Sequence, residues 1–215
     1  MIQRIATGIW MAAVIIAAFL VAPPAKTLGE LSRIIYFHVP VAWVAVLAFL
    51  WSMAQSIIYL KNKNSNNDIA AEASARIGFA FCVLATVTGM FFAKATWGAY
   101  WNWDPRETSI FILMLIYLAY FALRMAIDDN ERRAQFAAVY SILAFFTVPF
   151  LVFILPRISF SLHPSPLIKQ STDSGMDARM GIVFGASFVA FTMLYVWLQN
   201  LSVRIGLLAR RAEEE

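Results

Sequence analysis

The chain has one cysteine, two histidines, and charged side chains at only 14% of its 215 positions. A lone cysteine, Cys82, closes no intrachain disulfide, and without a second there is no C-x-x-C-H site for covalent haem attachment. Two histidines fall short of the four protein ligands that a structural zinc site usually takes. None of the nine glycines opens a G-x-x-x-x-G-K-[ST] loop, so the chain carries no P-loop and any ATP-driven step belongs to a partner. The scarcity of charge matters most. Ordinary soluble domains are about 25% charged and roughly 45–50% apolar, whereas this chain is 61% hydrophobic. A soluble enzyme is excluded.

A bilayer-spanning helix takes about 20 apolar residues, so six would use roughly 120 and leave about 95 for termini and loops. Apolar runs fall at 5–21, 40–60, 77–93, 108–125, 134–155 and 180–203. They predict an all-α, polytopic membrane protein: six transmembrane helices in a single domain over 1–215, with no separate soluble domain. The first run is longer than a signal-peptide core, and Pro23-Pro24 stand where a small-residue cleavage site would be, so it reads as an uncleaved span. The net charge of +4 belongs to residues flanking the spans and does not indicate nucleic acid.

Lys and Arg counted by side give ten on the first face: Arg4, Lys61, Lys63, Arg76, Arg124, Arg132, Arg133, Arg204, Arg210 and Arg211. The second face has seven: Lys26, Arg33, Lys94, Arg106, Arg157, Lys169 and Arg179. The bias places both termini in the cytoplasm. The connections at 61–67 and 128–133 read as solvated turns and the Glu213–Glu215 tail as frayed. Two outer loops stand apart: 94–107, rich in tryptophan, and 156–179, long and without a helical period.

Seven tryptophans spread evenly would put about a quarter of one in any seven-residue window. The stretch 97–103 holds Trp97, Trp101 and Trp103, with Gly98 and Tyr100 among them. One or two such rings would be an interfacial aromatic belt; three together also suit a platform for a flat ligand. Asp104-Pro105-Arg106-Glu107 then reads as a helix start, with Asp104 as N-cap, Pro105 at the first helical position and Glu107 completing a capping box. Arg106 is not needed for capping. Its guanidinium beside an aromatic shelf suits a ligand carboxylate.

His38 lies in Ile34–Pro40, either at the outer interface, if Pro40 begins the helix, or slightly deeper, if the helix starts earlier. An ionisable group there is a functional candidate, although a histidine bonded to a backbone carbonyl is the plain alternative. His163 follows Ser161-Leu162 in the long outer loop and alone is an ordinary loop histidine. Six alternating spans put both histidines and the tryptophan loop on one side. Two neutral imidazoles can hold haem iron from both faces, and haem is a flat macrocycle with two carboxylates. Cys82 needs no role beyond that of a small buried apolar residue.

Trp97-Gly98-Ala99-Tyr100-Trp101-Asn102-Trp103-Asp104 resembles the tryptophan-rich WWD signature of haem-handling proteins. With Ser32–Pro40 around His38 and Leu162-His163, nearly the whole chain resembles the cytochrome c maturation protein C family (haem exporter protein C). Pro105-Arg106-Glu107 looks more like the loop of longer relatives, the cytochrome c synthetase subunits, but the short chain and two histidines match the smaller family. The resemblance implies His38 and His163 as axial ligands of a transient, non-covalent haem b. It implies that Trp97, Gly98, Tyr100, Trp101, Trp103, Asp104 and Arg106 belong to the binding region. It also implies presentation of haem, at the periplasmic face of the bacterial inner membrane, to a haem chaperone, with ABC-type transporter subunits as partners and no bond-making chemistry. Lys94, Arg33, Arg157 and Lys169 are further candidates for the propionates. A redox subunit resembling cytochrome b would want histidines at both depths, and a haem-free scaffold or permease subunit would carry no pigment.

The topology has a direct test. Cysteines replacing Asn102 or Ser165 are expected to react with a membrane-impermeant thiol reagent in intact spheroplasts, and cysteines at Asn64 or Asn130 only after lysis. Labelling at Asn64 from outside would invert the orientation.

Overall fold

A computed structural model of the protein describes residues 2–163 and 177–214. Lys169, Ser165 and most of the loop expected at 156–179 lie outside the described residues, as does Glu215. Among the described residues there is no β-strand. Helix α1 spans Ile2–Leu20, and a 3-10 turn, Glu30–Ile34, leads into α2, Ile35–Asn62. Next come α3, Ser65–Trp97, α4, Pro105–Ala126, and α5, Asn130–Pro149. A π-helical turn, Phe150–Ile154, joins α5 to the short α6, Leu155–Ile158, and α7 covers Ala178–Glu214. Six helical segments are long and apolar enough to cross a membrane, as the apolar runs predict.

The helices extend well beyond those runs, because polar residues at their ends cap them and do not stop them. The turn expected at 61–67 shrinks to Lys63 and Asn64. Lys63 adopts a left-handed conformation, and its N–H bonds the carbonyl of Tyr59. Asn64 then caps α3 by accepting from the N–H of Asn66. Asp129 similarly caps α5 through the N–H of Arg132. At the far end α7 continues to Glu214, where a frayed tail was expected.

Helices α2 and α3 form the central hairpin. They pack tightly at Gly78, where a Cβ would stand 2.8 Å from the Phe49 ring. Phe49 in turn stacks on Tyr117 of α4 with ring centroids 3.6 Å apart. Lipid tails offer little hydrophobic drive between helices, so small residues and interhelical hydrogen bonds hold such contacts. Ser74 donates to the carbonyl of Ala48 at 2.7 Å and therefore accepts from the Tyr195 hydroxyl, also at 2.7 Å. Ser52 donates to the Ala71 carbonyl and accepts from Ser141 at 3.1 Å, joining α2, α3 and α5.

Arg124 departs most from its sequence reading as a loop cation. It is buried at the end of α4 opposite the tryptophan loop, with Asp68 bonded to both terminal nitrogens at 2.7 and 2.9 Å and Glu72 at 2.7 Å. Removing one partner of a buried ion pair leaves an uncompensated charge, at a cost of about 3–5 kcal/mol. Arg124→Ala is therefore expected to lower stability by that order, read from thermal unfolding in detergent. A loss under about 1 kcal/mol would show that the cluster behaves like an exposed pair.

Candidate functional site

The site is built where the first turns of α2 and α4 meet the end of α3 and the segment after α6. Asp104 begins α4 as its sequence predicts. Its Oδ1 accepts from the N–H of Arg106 at 2.9 Å, and Glu107 returns a carboxylate oxygen to the N–H of Asp104 at 3.3 Å. Glu107 also accepts from the N–H of Asn102 at 2.7 Å, which folds the tryptophan loop back onto the helix start. The loop itself is shorter than its sequence suggests, because α3 runs through Trp97 and ends on Gly98, whose φ of 83° suits a residue without Cβ. Trp103 takes a left-handed φ of 56°, costly for a bulky residue.

Capping uses only part of Asp104. The same carboxylate accepts from the N–H of Leu162 at 2.7 Å, from the Ser161 hydroxyl at 2.9 Å and from Nδ1 of His163 at 2.9 Å. A carboxylate only accepts, so His163 donates from Nδ1 and its Nε2 keeps the lone pair. Burial alone would raise the Asp104 carboxyl, but the N–H groups of Arg106 and Leu162 and the Ser161 hydroxyl outweigh it and hold it below the usual range. Burial pushes the His163 imidazole below its ordinary range; Asp104 opposes that shift and Arg106 adds to it. The result is a carboxylate that holds the imidazole by Nδ1, as an outer partner commonly does for a metal-binding histidine.

His38 falls in the first turn of α2, which starts at Ile35, so Pro40 lies inside the helix. Its Nδ1 is 2.9 Å from Oγ1 of Thr88 on α3. The Thr88 hydroxyl lies 2.9 Å from the Leu84 carbonyl and 3.1 Å from that of Ala85, which take its single hydrogen. Thr88 therefore accepts from Nδ1 of His38, and Nε2 is again left with the lone pair. The plain alternative, a histidine bonded to a backbone carbonyl, holds in part: the Ala85 carbonyl of α3 also acts on this ring, beside the Thr88 hydroxyl.

Both histidines line one cavity of about 690 Å³, together with Trp101, Arg106, Arg157 and apolar side chains of α2, α3, the π-helical turn and α7. That volume lies within the roughly 300–1,000 Å³ range of small-molecule sites. The π-helical turn contributes Leu151, Val152 and Phe153 to the wall, and such turns often occur at functional sites. The buried Nε of Arg106 has no hydrogen-bond partner in the protein, although buried polar groups are normally paired.

The other loop residues divide by position. Trp97 packs edge-on against His163 with ring centroids 4.8 Å apart, behind the imidazole. Gly98, Tyr100 and Trp103 are outside the cavity lining. Tyr100 packs on Phe91 and under Lys94, and Trp103 is 71% exposed. Trp101 and Trp103 stand at 90° to each other, so the three tryptophans do not form one flat shelf. Of the further basic candidates among the described residues, only Arg157 reaches the cavity. Lys94 donates to the Gly98 carbonyl, and Arg33 is held by Glu30 and the carbonyls of Ala18 and Ala22. Thr88, Ser161 and Leu162 escaped the sequence reading, because a threonine within a span and a loop serine carry no pattern of their own.

A multi-pass membrane protein with a histidine-lined cavity at one end of its helix bundle is the class these features define. Comparison with known families narrows it: a family model described as Heme exporter protein C matches residues 1–215, and the chain belongs to that family. It is 35% identical over 192 residues to the Heme exporter protein C of Bradyrhizobium diazoefficiens, covering 88% of this chain and 72% of that one. Against the Rhodobacter capsulatus protein of the same name the identity is 32% over 198 residues, or 90% and 80% of the two chains. A mitochondrial protein of Marchantia polymorpha named for cytochrome c biosynthesis is 30% identical over 195 residues, covering 90% and 83%.

The two duties of Asp104 separate by mutation. Asp104→Ser keeps a good N-cap but is too short to serve the 161–163 segment, whereas Asp104→Ala loses the cap as well, at about 1 kcal/mol. Amide hydrogen exchange at Leu162 is expected to rise in both variants, and Asp104→Ala to be the less stable by that amount. Unchanged protection at Leu162 would show that Asp104 serves the helix alone.

Proposed function

We propose that this protein binds haem b, non-covalently and transiently, at the outer face of the bacterial inner membrane and hands it to a haem chaperone during cytochrome c maturation. The observation that carries this reading is the pair of imidazoles on separate elements facing one cavity, each with Nδ1 engaged and Nε2 free. The donor set fits the group. Neutral imidazole nitrogens suit haem iron, the apolar wall suits a macrocycle, and the partnerless Nε of Arg106 suits a propionate. Bound haem supplies the iron that such nitrogens coordinate; the protein supplies orientation, a dry wall and counter-charge.

Family membership supports the setting: relatives carry the name Heme exporter protein C. In this reading ABC-type transporter subunits are the partners that use ATP, and both termini are cytoplasmic, following the ten-to-seven basic bias. Trp101 meets Phe111, an exposed ring on the first turns of α4, at 6.2 Å, which supports a tryptophan loop lying at the membrane surface. A six-coordinate iron leaves no open position for oxygen or substrate, so the site suits holding haem without bond-making. Electron transfer across the bilayer is the weaker reading, because both histidines share one cavity at one end of the bundle.

The test removes each ligand in turn. The parent protein is expected to purify with a low-spin haem spectrum. His38→Gly and His163→Gly should each lose haem, regain it when free imidazole is supplied, and shift toward high spin. A double variant that keeps the parent's spectrum would sink the ligand assignment, and a colourless parent would favour a haem-free scaffold.

A further inference from the structure

His38 sits in the first turn of α2. The contacts that orient its ring come from α3: the carbonyl of Ala85 and two adjacent residues, Thr88 and Gly89. Oγ1 of Thr88 stands 2.9 Å from Nδ1 of His38, with its hydrogen committed to the α3 carbonyls of Leu84 and Ala85. At the next position, a Cβ built on Gly89 would lie 3.1 Å from Cε1 of His38 and 3.8 Å from its Nδ1. A Cβ contact of 3.1 Å is tight enough to displace the ring by a few tenths of an ångström. Gly89 and His38 line the same cavity.

We infer that Thr88 and Gly89 are positioning residues for His38: the threonine fixes which ring nitrogen carries the proton, and the glycine admits the ring edge against α3. The physical reason is the tautomer. A neutral imidazole offers one lone pair, and whichever nitrogen is hydrogen-bonded as a donor leaves the other as the ligand. An acceptor at Nδ1 therefore makes Nε2 the nitrogen presented to the cavity. The orienting partner also raises ligand basicity, and loss of such partners typically costs 10–100-fold in metal affinity. Asp104 gives His163 the same service with a full charge. The two imidazoles thus share a tautomer but differ in the strength of their partner: a carboxylate on one side, a hydroxyl on the other. His38 is accordingly the weaker donor of the pair.

The part of this proposal that concerns iron rests on the haem-binding reading, whereas the part that concerns the ring does not. The test separates them. With only two histidines in the chain, nitrogen-15 labelling of histidine gives two imidazoles to follow by solid-state NMR of the haem-free protein in lipid. His163→Gly assigns the remaining ring. In the parent, both rings are expected as the Nδ1–H tautomer. Thr88→Val keeps the shape but removes the acceptor, and should move His38 toward the Nε2–H form. Thr88→Ser should restore the parent's signals. Haem loss to apomyoglobin should then be about tenfold faster in Thr88→Val than in the parent or Thr88→Ser, a step at the lower end of the range for lost orienting partners. Gly89→Ala should keep the tautomer yet speed haem loss and raise the high-spin fraction. A Thr88→Val protein with the parent's tautomer would overturn the role of Thr88, and parent-like haem loss in Gly89→Ala would overturn that of Gly89. Tautomer shifts as expected in a parent that never holds haem would leave the positioning intact and refute the haem reading alone.

Discussion

One carboxylate ties the site together. Asp104 closes the first turn of α4, captures the backbone of Leu162 and orients His163, all through two oxygens. Ionised carboxylates offer about four acceptor positions, and here nearly all are taken by donors from two chain segments more than fifty residues apart. The helix start and the ligand geometry therefore cannot vary independently. Movement of α4 along its axis would carry His163 with it, along with the Arg106 guanidinium two residues beyond the cap. An anion suits a helix N-terminus, and the site uses the same anion to hold an imidazole by its Nδ1.

The opposite end of the bundle solves a related problem with the signs reversed. Arg124 is the buried charge there, and Asp68 and Glu72 of α3 surround it. Both clusters join α4 to another part of the chain, one at each terminus of the helix. Between them α4 is held by ring contacts, Tyr117 on Phe49 of α2, Phe121 on Phe79 of α3 and Tyr120 beside Tyr140 of α5, and by the Tyr140 hydroxyl donating to the Ile116 carbonyl, each weak in a membrane. The helix is thus pinned at its two ends, where polar groups can be paired, and only packed in between.

Much of this was legible in the sequence, for identifiable reasons. Six apolar runs and a capping signature at Asp104-Pro105-Arg106-Glu107 each have a local pattern and reappear as six membrane-capable helices and a capping box, and the two histidines line one cavity. Helix lengths were underestimated because the runs mark only apolar residues, while Ser65–Arg76 and Arg204–Glu214 continue the helix in polar sequence. The burial of Arg124 was invisible because its partners come from α3, fifty or more residues away. The tryptophans read as one shelf because composition counts rings without orienting them. In the structure Trp101 lines the cavity, Trp97 backs His163 and Trp103 faces outward. Thr88 could have been found only by asking what an intramembrane histidine must bond, since a hydroxyl within a span otherwise bonds its own helix.

The unequal support of the two imidazoles bears on how such a site can give up what it holds. Two equally strong ligands would make release slow from either face, since both bonds must break before a planar ligand can leave. A carboxylate-backed His163 and a hydroxyl-backed His38 would hold haem iron unequally: His38 would be the weaker donor, and the segment carrying His163 would keep the firmer hold. His163 sits on that segment, beside the exposed tryptophan loop, and His38 sits inside a helix. A ligand released first from the helix and last from the loop region would leave toward the membrane surface. The same asymmetry in the reverse direction would favour the bilayer side, so under the haem-binding reading the placement of the stronger partner, Asp104, would set the direction of release.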